Sequence, residues 1–104
     1  MTLLTVIETP EFLRQAAEVW TPEQHDDFVA WIAANPLAGD VIPGAQGMRK
    51  VRWTASGRGK RGGVRVIYFN RLSAGAVVLV TVYAKSERST LSASEIKRMR
   101  RDDP

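Results

Sequence analysis

Apolar and β-branched residues dominate residues 2–8 and predict a first β-strand, with Leu4 and Val6 on one face and Leu3, Thr5 and Ile7 on the other. Two segments with helical spacing follow it. A Thr-Pro-Glu start at residue 9 predicts a helix that ends near residue 19. A second helix is predicted to begin with a capping box at residues 21–24 and to end at Asn35-Pro36, because the residue before a proline disfavours helical geometry.

The second half of the chain is rich in β-branched and aromatic residues, and it predicts three strands, at residues 48–55, 64–72 and 76–85. The short connections between them suit antiparallel neighbours. Residues 77–82 are apolar at every position except one, which is typical of a central strand. A last capping box, Ser92 to Glu95, predicts a closing helix that ends near Arg101.

The predicted order is β-α-α-β-β-β-α within a single domain, residues 1–104. This order indicates an α+β protein with a small, twisted, mainly antiparallel sheet and helices packed against it. Residues 36–47, rich in Gly and Pro, are predicted to form an ordered loop.

Charge is distributed unevenly along the chain. Residues 1–47 contain one cation and seven carboxylates, whereas residues 48–104 contain fourteen cations and four carboxylates. Such a basic block is typical of proteins that bind a polyanion, with a solvated basic surface as the plainer alternative. The absence of cysteine and of a recognisable signal sequence, and apolar runs too short to span a bilayer, predict a soluble cytoplasmic protein with no membrane partner.

The glycine pattern from Gly57 to Val64 matches the phosphate-covering loop of protein kinases. The chain lacks the other kinase motifs, and the glycines precede a strand rather than the helix that a dinucleotide fingerprint requires. We therefore predict no cofactor, and interpret the segment as a hairpin loop whose cations, Arg58, Lys60 and Arg61, contact a nucleic acid backbone; a flexible, solvated loop remains the alternative.

The basic strand before this loop is more informative. Alternation places Val51 and Trp53 on a buried face, so that Lys50 and Arg52 extend together from the other face. Two like charges about 7 Å apart repel each other, and a phosphate between them would remove that cost. His25 belongs to the acidic helical half and is interpreted as a structural residue. No metal-ligand spacing is present, so no metal is expected.

Four segments together resemble the RelE/ParE superfamily of bacterial toxins, most closely its HigB-type RelE branch. They are GDVIPG followed by RKVRW, then GKRGGVRVIYF, VYAKSER and LSASEIKRMR. The resemblance implies a toxin of a type II toxin-antitoxin system that cleaves mRNA at the ribosome without a metal and blocks translation. It also implies a cognate antitoxin, expected to be a helix-turn-helix protein, and a toxin that is monomeric outside the antitoxin complex.

In the RelE branch the 2′-OH of the substrate attacks the adjacent phosphate while Lys and Arg side chains position it and stabilise the charged transition state. The resemblance assigns these catalytic roles to five residues, Lys50, Arg52, Arg65, Lys85 and Arg88. Contacts to RNA or the ribosome are predicted for Arg49, Arg58, Lys60, Arg61 and Tyr83.

The chain departs from the family pattern at Ser86, where an arginine is expected, and at Leu91-Ser92, near an expected tyrosine. Tyr68 or Tyr83 is a candidate to stack a base instead, and Arg61 or Arg88 to supply the charge. Two alternatives stay open: a ParE-like inhibitor of DNA gyrase that cleaves no nucleic acid, and a degenerate member that only binds RNA or its antitoxin.

Overall fold

A computed structural model of the chain describes residues 4–54, 63–84 and 98. The elements, in chain order, are β1 (Thr5–Glu8), α1 (Pro10–Val19), α2 (Pro22–Ala34), β2 (Asp40–Val41), β3 (Arg49–Trp53), β4 (Val64–Arg71) and β5 (Ala76–Ala84). This architecture confirms the predicted α+β class, and the elements predicted up to residue 84 occur in the predicted order with one further strand, β2, among them. The predicted closing helix lies outside the described residues, apart from Arg98, which is helical.

The strands form one sheet in the order β1-β5-β4-β3-β2. The pairs β2–β3, β3–β4 and β4–β5 are antiparallel, whereas β1 pairs with β5 in parallel. The register of β4 and β5 shifts between Ile67 and Tyr68, so that Val80 has no cross-strand partner. This β-bulge lies in the middle of the two longest strands.

Both helices begin as their sequences predict. The side chain of Thr9 caps α1 by accepting the Phe12 N–H, and its hydroxyl also lies 2.9 Å from the Leu79 carbonyl oxygen. Thr21 and Gln24 form the complete capping box of α2, with bonds of 2.9 and 3.1 Å. The Thr9 contact joins the start of α1 to β5, and so fixes the helix against the sheet.

Each face of the sheet has its own apolar cluster. The first cluster lies between the sheet and the two helices: Phe12, Ala16, Trp20, Phe28, Ile32, Val51, Val64, Val66, Tyr68, Val77, Leu79 and Val82. The second lies on the opposite face: Ala45, Met48, Ile67, Phe69, Val78, Val80 and Tyr83. Because both faces are covered, β5 is apolar along nearly its whole length, as predicted for an interior strand.

The structure differs from the sequence-based expectation in two connections. The segment predicted as a loop at residues 36–47 contains β2, which forms the edge of the sheet beside β3. The turn between β4 and β5 is a short 3₁₀ helix, Leu72–Ala74, closed by Gly75 in the left-handed conformation at φ 66°. Among the described residues, no helix is long and apolar enough to cross a membrane.

Candidate nucleic-acid interface

The basic strand β3 has the two faces that its alternation predicts. Val51 is buried in the cluster beneath the helices and Trp53 packs against it, whereas Lys50 and Arg52 are exposed. The two cations therefore extend from the face opposite the helices, on the same side of the sheet as the second apolar cluster. This geometry agrees with the orientation predicted for the proposed phosphate contacts.

A cross-strand row joins this strand to its neighbours. Arg52 pairs with Arg65 on β4, and Arg65 pairs with Tyr83 on β5. Residues directly opposite each other in antiparallel strands have Cβ atoms about 5 Å apart, so the side chains of one row lie side by side on one face. Like charges in such a row destabilise the sheet by a few tenths of a kcal/mol to about 1 kcal/mol. An anion bound over Arg52 and Arg65 would offset this repulsion.

Lys50 has a neighbour that the sequence reasoning missed. Asp40 on β2 pairs with Lys50, and both residues are exposed. An acidic residue directly opposite a lysine in antiparallel strands partly balances its charge. Because β2 has only two residues inside a Gly- and Pro-rich segment, no periodicity in the sequence indicates this pairing.

Arg49 points away from this surface. It pairs with Tyr68, a residue of the cluster under the helices, and its guanidinium donates to the Gly39 carbonyl at 2.7 Å. A longer contact of 3.5 Å reaches the Leu37 carbonyl. Arg49, predicted above as an RNA contact, therefore ties the segment before β2 to β3, which helps to hold the basic strand in place.

The side chain of Tyr68 also holds the segment before β2. Its hydroxyl donates to the Pro36 carbonyl and accepts the Gly39 N–H, each at 2.8 Å. The side chain is completely buried, and this burial raises the pKa of Tyr68 despite the hydrogen bond from Gly39. The suggestion that Tyr68 stacks a base is wrong, because its ring is enclosed and its hydroxyl is already bonded.

Tyr83 lies beside Arg65 in the row, but only 6% of it is exposed. Stacking of a base on its ring would require the surrounding side chains to move. His25 contacts the Glu8 carboxylate and packs against the rings of Phe12 and Trp20. Its position between α2 and β1 agrees with the structural role that the sequence indicated.

Several predicted site residues lie outside the described residues: Arg58, Lys60, Arg61, Lys85 and Arg88. The structure thus brings together Lys50, Arg52 and Arg65, with Tyr83 at the end of the row. Within residues 4–54, 63–84 and 98, no group of three or more His, Asp or Glu side chains could hold a metal ion.

Comparison with solved structures identifies the fold. The chain is similar to toxin RelE of Escherichia coli, solved in the free state with two arginines replaced by alanine, at a TM-score of 0.65 and 14% identity over 95% of this chain and 98% of that one. It is also similar to a chain of the toxin-antitoxin complex RelBE2 of Mycobacterium tuberculosis, at a TM-score of 0.59 and 19% identity over 80% and 99%. No family model matches the sequence. The predicted resemblance to the RelE/ParE superfamily is confirmed for the fold.

Proposed function

We propose that the chain is the toxin of a type II toxin-antitoxin system, and that it cleaves mRNA bound at the ribosome without a metal ion. The observation that supports this most directly is the cationic surface on the face opposite the helices, formed by exposed Lys50 and Arg52 and half-buried Arg65. The fold shared with RelE provides the context. A side-chain row of this kind can hold a scissile phosphate and stabilise the charge that builds up on it.

In this mechanism the protein supplies position and positive charge, and the RNA supplies the nucleophile. The 2′-OH of the substrate loses its proton as it attacks the neighbouring phosphorus, and the bond from phosphorus to the 5′-oxygen of the next nucleotide breaks, which leaves a 2′,3′-cyclic phosphate and a 5′-hydroxyl that has taken up a proton. Arg52 and Arg65 bind the non-bridging oxygens, while Lys50 assists proton transfer. Lys85 and Arg88 are proposed to complete the site, and Arg58, Lys60 and Arg61 to contact the nucleic acid backbone.

The partner of the free toxin is proposed to be a cognate antitoxin. The similar RelBE2 chain was solved in a toxin-antitoxin complex, which supports a partner of this kind. An acidic or amphipathic segment of the antitoxin would neutralise the cations of the basic face, and its affinity would fall as salt rises.

The site assignment is tested by expression of Lys50→Ala and Arg52→Ala beside a control, Arg14→Ala. Arg14 is an exposed cation of α1 paired with Glu11, so the control loses the same charge on the opposite side of the sheet. We expect each β3 variant to lower the rate of mRNA cleavage by about 100-fold or more, as loss of a transition-state donor does. Arg14→Ala should remain toxic. If both β3 variants stay fully toxic, the assignment is wrong.

Primer extension on cellular mRNA after induction tests the reaction itself. Cleavage within reading frames that disappears when translation is blocked supports the proposal. Intact mRNA with arrested replication would instead indicate a gyrase inhibitor. Folded protein that causes neither effect would indicate a degenerate member that only binds its partners.

Protein stability provides a second, independent readout. Since Arg52 lies opposite Arg65, Arg52→Thr removes one of two like charges and should lower cleavage by about 100-fold without lowering the free energy of unfolding. A residue needed only for folding would lower both quantities together.

A further inference from the structure

The side of the molecule that carries the helices has an open pocket, on the opposite face of the sheet from Arg52. Its volume is about 470 Å³, and it lies where the end of β3 meets α2. Two indole rings, those of Trp31 and Trp53, form its apolar wall, with ring centroids 4.9 Å apart. The buried ring of Phe28 packs against both indoles, with its centroid 6.0 Å from that of Trp31 and 5.4 Å from that of Trp53. The aromatic wall therefore has a rigid base.

The polar rim of the pocket is acidic. Asp27 lies on the rim together with the amide side chains of Gln24 and Asn35. The Asn35 amide nitrogen donates to the Trp31 carbonyl at 2.9 Å, which leaves its oxygen as the part that can accept. Helix α2 contains no Lys or Arg, and it exposes further carboxylates near Asp27, those of Glu23 and Asp26.

The aromatic wall and the acidic rim together favour a cationic ligand over an anionic one. The face of an indole attracts a cation, and Trp does so more strongly than Tyr or Phe. A nucleotide would also stack on indole rings, but its phosphates would meet the carboxylates of α2 and be repelled. The indole N–H of Trp53 is buried with no hydrogen-bond acceptor among the described residues, and a carbonyl oxygen of a bound peptide could accept it once the side chains over it move.

We propose that this pocket binds an arginine or lysine side chain from a basic peptide segment of a protein partner. The rings of Trp31 and Trp53 lie on one side of the bound cation, and the Asp27 carboxylate lies on the other. The protein then has two docking surfaces of opposite charge on the two faces of its sheet. The basic face takes a polyanion, and the acidic pocket takes a cationic segment. This inference does not depend on cleavage of RNA.

The test uses the full chain and a defined probe, the peptide acetyl-Gly-Arg-Gly-amide, with its citrulline analogue as a neutral control of the same shape. Titration is followed by the indole ¹H–¹⁵N signals of the three tryptophans. Trp20 packs against Phe28 and His25 and does not line the pocket, so it serves as an internal reference. We expect the signals of Trp31 and Trp53 to shift with the arginine peptide, and that of Trp20 to remain in place.

Two variants with the same change in charge distinguish a contact with the pocket carboxylate from attraction to the negative charge of α2 as a whole. Asp27→Asn should weaken binding about three- to fivefold, as loss of an exposed ion pair does. Asp26→Asn, on the same helix but outside the pocket lining, should leave affinity nearly unchanged. Trp31→Phe should weaken binding further while it keeps an aromatic ring against Phe28. Thermal melts of all three variants check that the fold is kept.

Three results would overturn the proposal. Equal binding of the citrulline peptide would show that no cation is recognised. Equal weakening by Asp26→Asn and Asp27→Asn would show attraction to the helix as a whole. Shifts of the same indole signals by adenosine monophosphate, stronger than those by the arginine peptide, would make the pocket a nucleobase site. Since Asp27 lies on the face away from Lys50, Asp27→Asn should retain mRNA cleavage, so a failure here is distinct from a failure of the proposed nuclease.

Discussion

The hydroxyl of Tyr68 is the best-placed single atom for a quantitative test of the fold. Tyr68→Phe keeps the buried ring and removes only the group that joins the segment before β2 to the sheet. The Gly39 N–H then loses its acceptor, which costs about 1–3 kcal/mol for a buried donor. The Pro36 carbonyl still accepts the Asn70 amide at 2.9 Å, so its loss is small. We therefore expect a decrease of about 2 kcal/mol in the free energy of unfolding.

Urea unfolding followed by far-UV circular dichroism measures this change, and the midpoint of thermal unfolding should fall by roughly 8–16 °C in parallel. Thr81→Val is the control, because it deletes a buried hydroxyl whose bond to Glu11 is longer, 3.3 Å. Its effect should stay below about 1 kcal/mol. If Tyr68→Phe is within about 0.5 kcal/mol of the unmodified protein, the Tyr68 bonds do not hold this segment and the reasoning is refuted.

A double-mutant cycle with Gly39→Ala sharpens the test. A Cβ at residue 39 would lie 2.8 Å from the Tyr68 hydroxyl and 2.9 Å from the Lys50 carbonyl oxygen, so the single variant must move away from both. Both substitutions break the same hydrogen bond. Together they should therefore cost less than the sum of the single effects, by at least about 0.5 kcal/mol. Strict additivity would show that the two positions are not coupled.

Three other predictions concern separate features of the fold. Burial raises the pKa of Tyr68 above its ordinary value of 10.0, so above pH 10 the folded state keeps a proton that the unfolded state releases. The free energy of unfolding should therefore decline as the pH rises above 10. In urea unfolding at several pH values, Tyr68→Phe should show a smaller decline. Thr21→Ala breaks the capping box with Gln24 and should lower the free energy of unfolding by about 1 kcal/mol, whereas Thr21→Ser should be nearly neutral in the same assay. Gly63→Ala should destabilise the protein by more than about 1 kcal/mol in thermal melts, because φ is 56° there and the new Cβ would lie 2.7 Å from the Trp53 carbonyl oxygen; unchanged melting would contradict that geometry.

Local signals in the sequence account for much of the observed structure. Both helix starts follow from Thr-Pro pairs, since the caps depend only on residues within one turn. The exposed pair on β3 follows from alternation, because one buried face determines the other. Because these features depend on residues close together in the chain, the sequence predicts which residues form them.

Pairing between distant segments could not be predicted in the same way. Nothing near Asp40 indicates that two residues of a Gly- and Pro-rich segment join β3 and place a carboxylate beside Lys50. The tie from Tyr68 to Pro36 and Gly39 depends on a contact between residues about thirty positions apart. The RNA contact predicted for Tyr83 requires an accessible ring, whereas the second apolar cluster encloses it.

The parallel pairing of β1 with β5 affects how the protein is made. Thr9, at the start of α1, bonds to Leu79, which lies 70 residues later in the chain. At about 5–20 residues per second, a ribosome needs roughly 4–14 s to synthesise that interval. Until β5 is synthesised, β1 has no strand to pair with. The two helices also lack the apolar residues of β5 against which they pack. The nascent chain therefore completes its sheet only after β5 has been synthesised, and the pairing of strands so distant in sequence predicts slow folding.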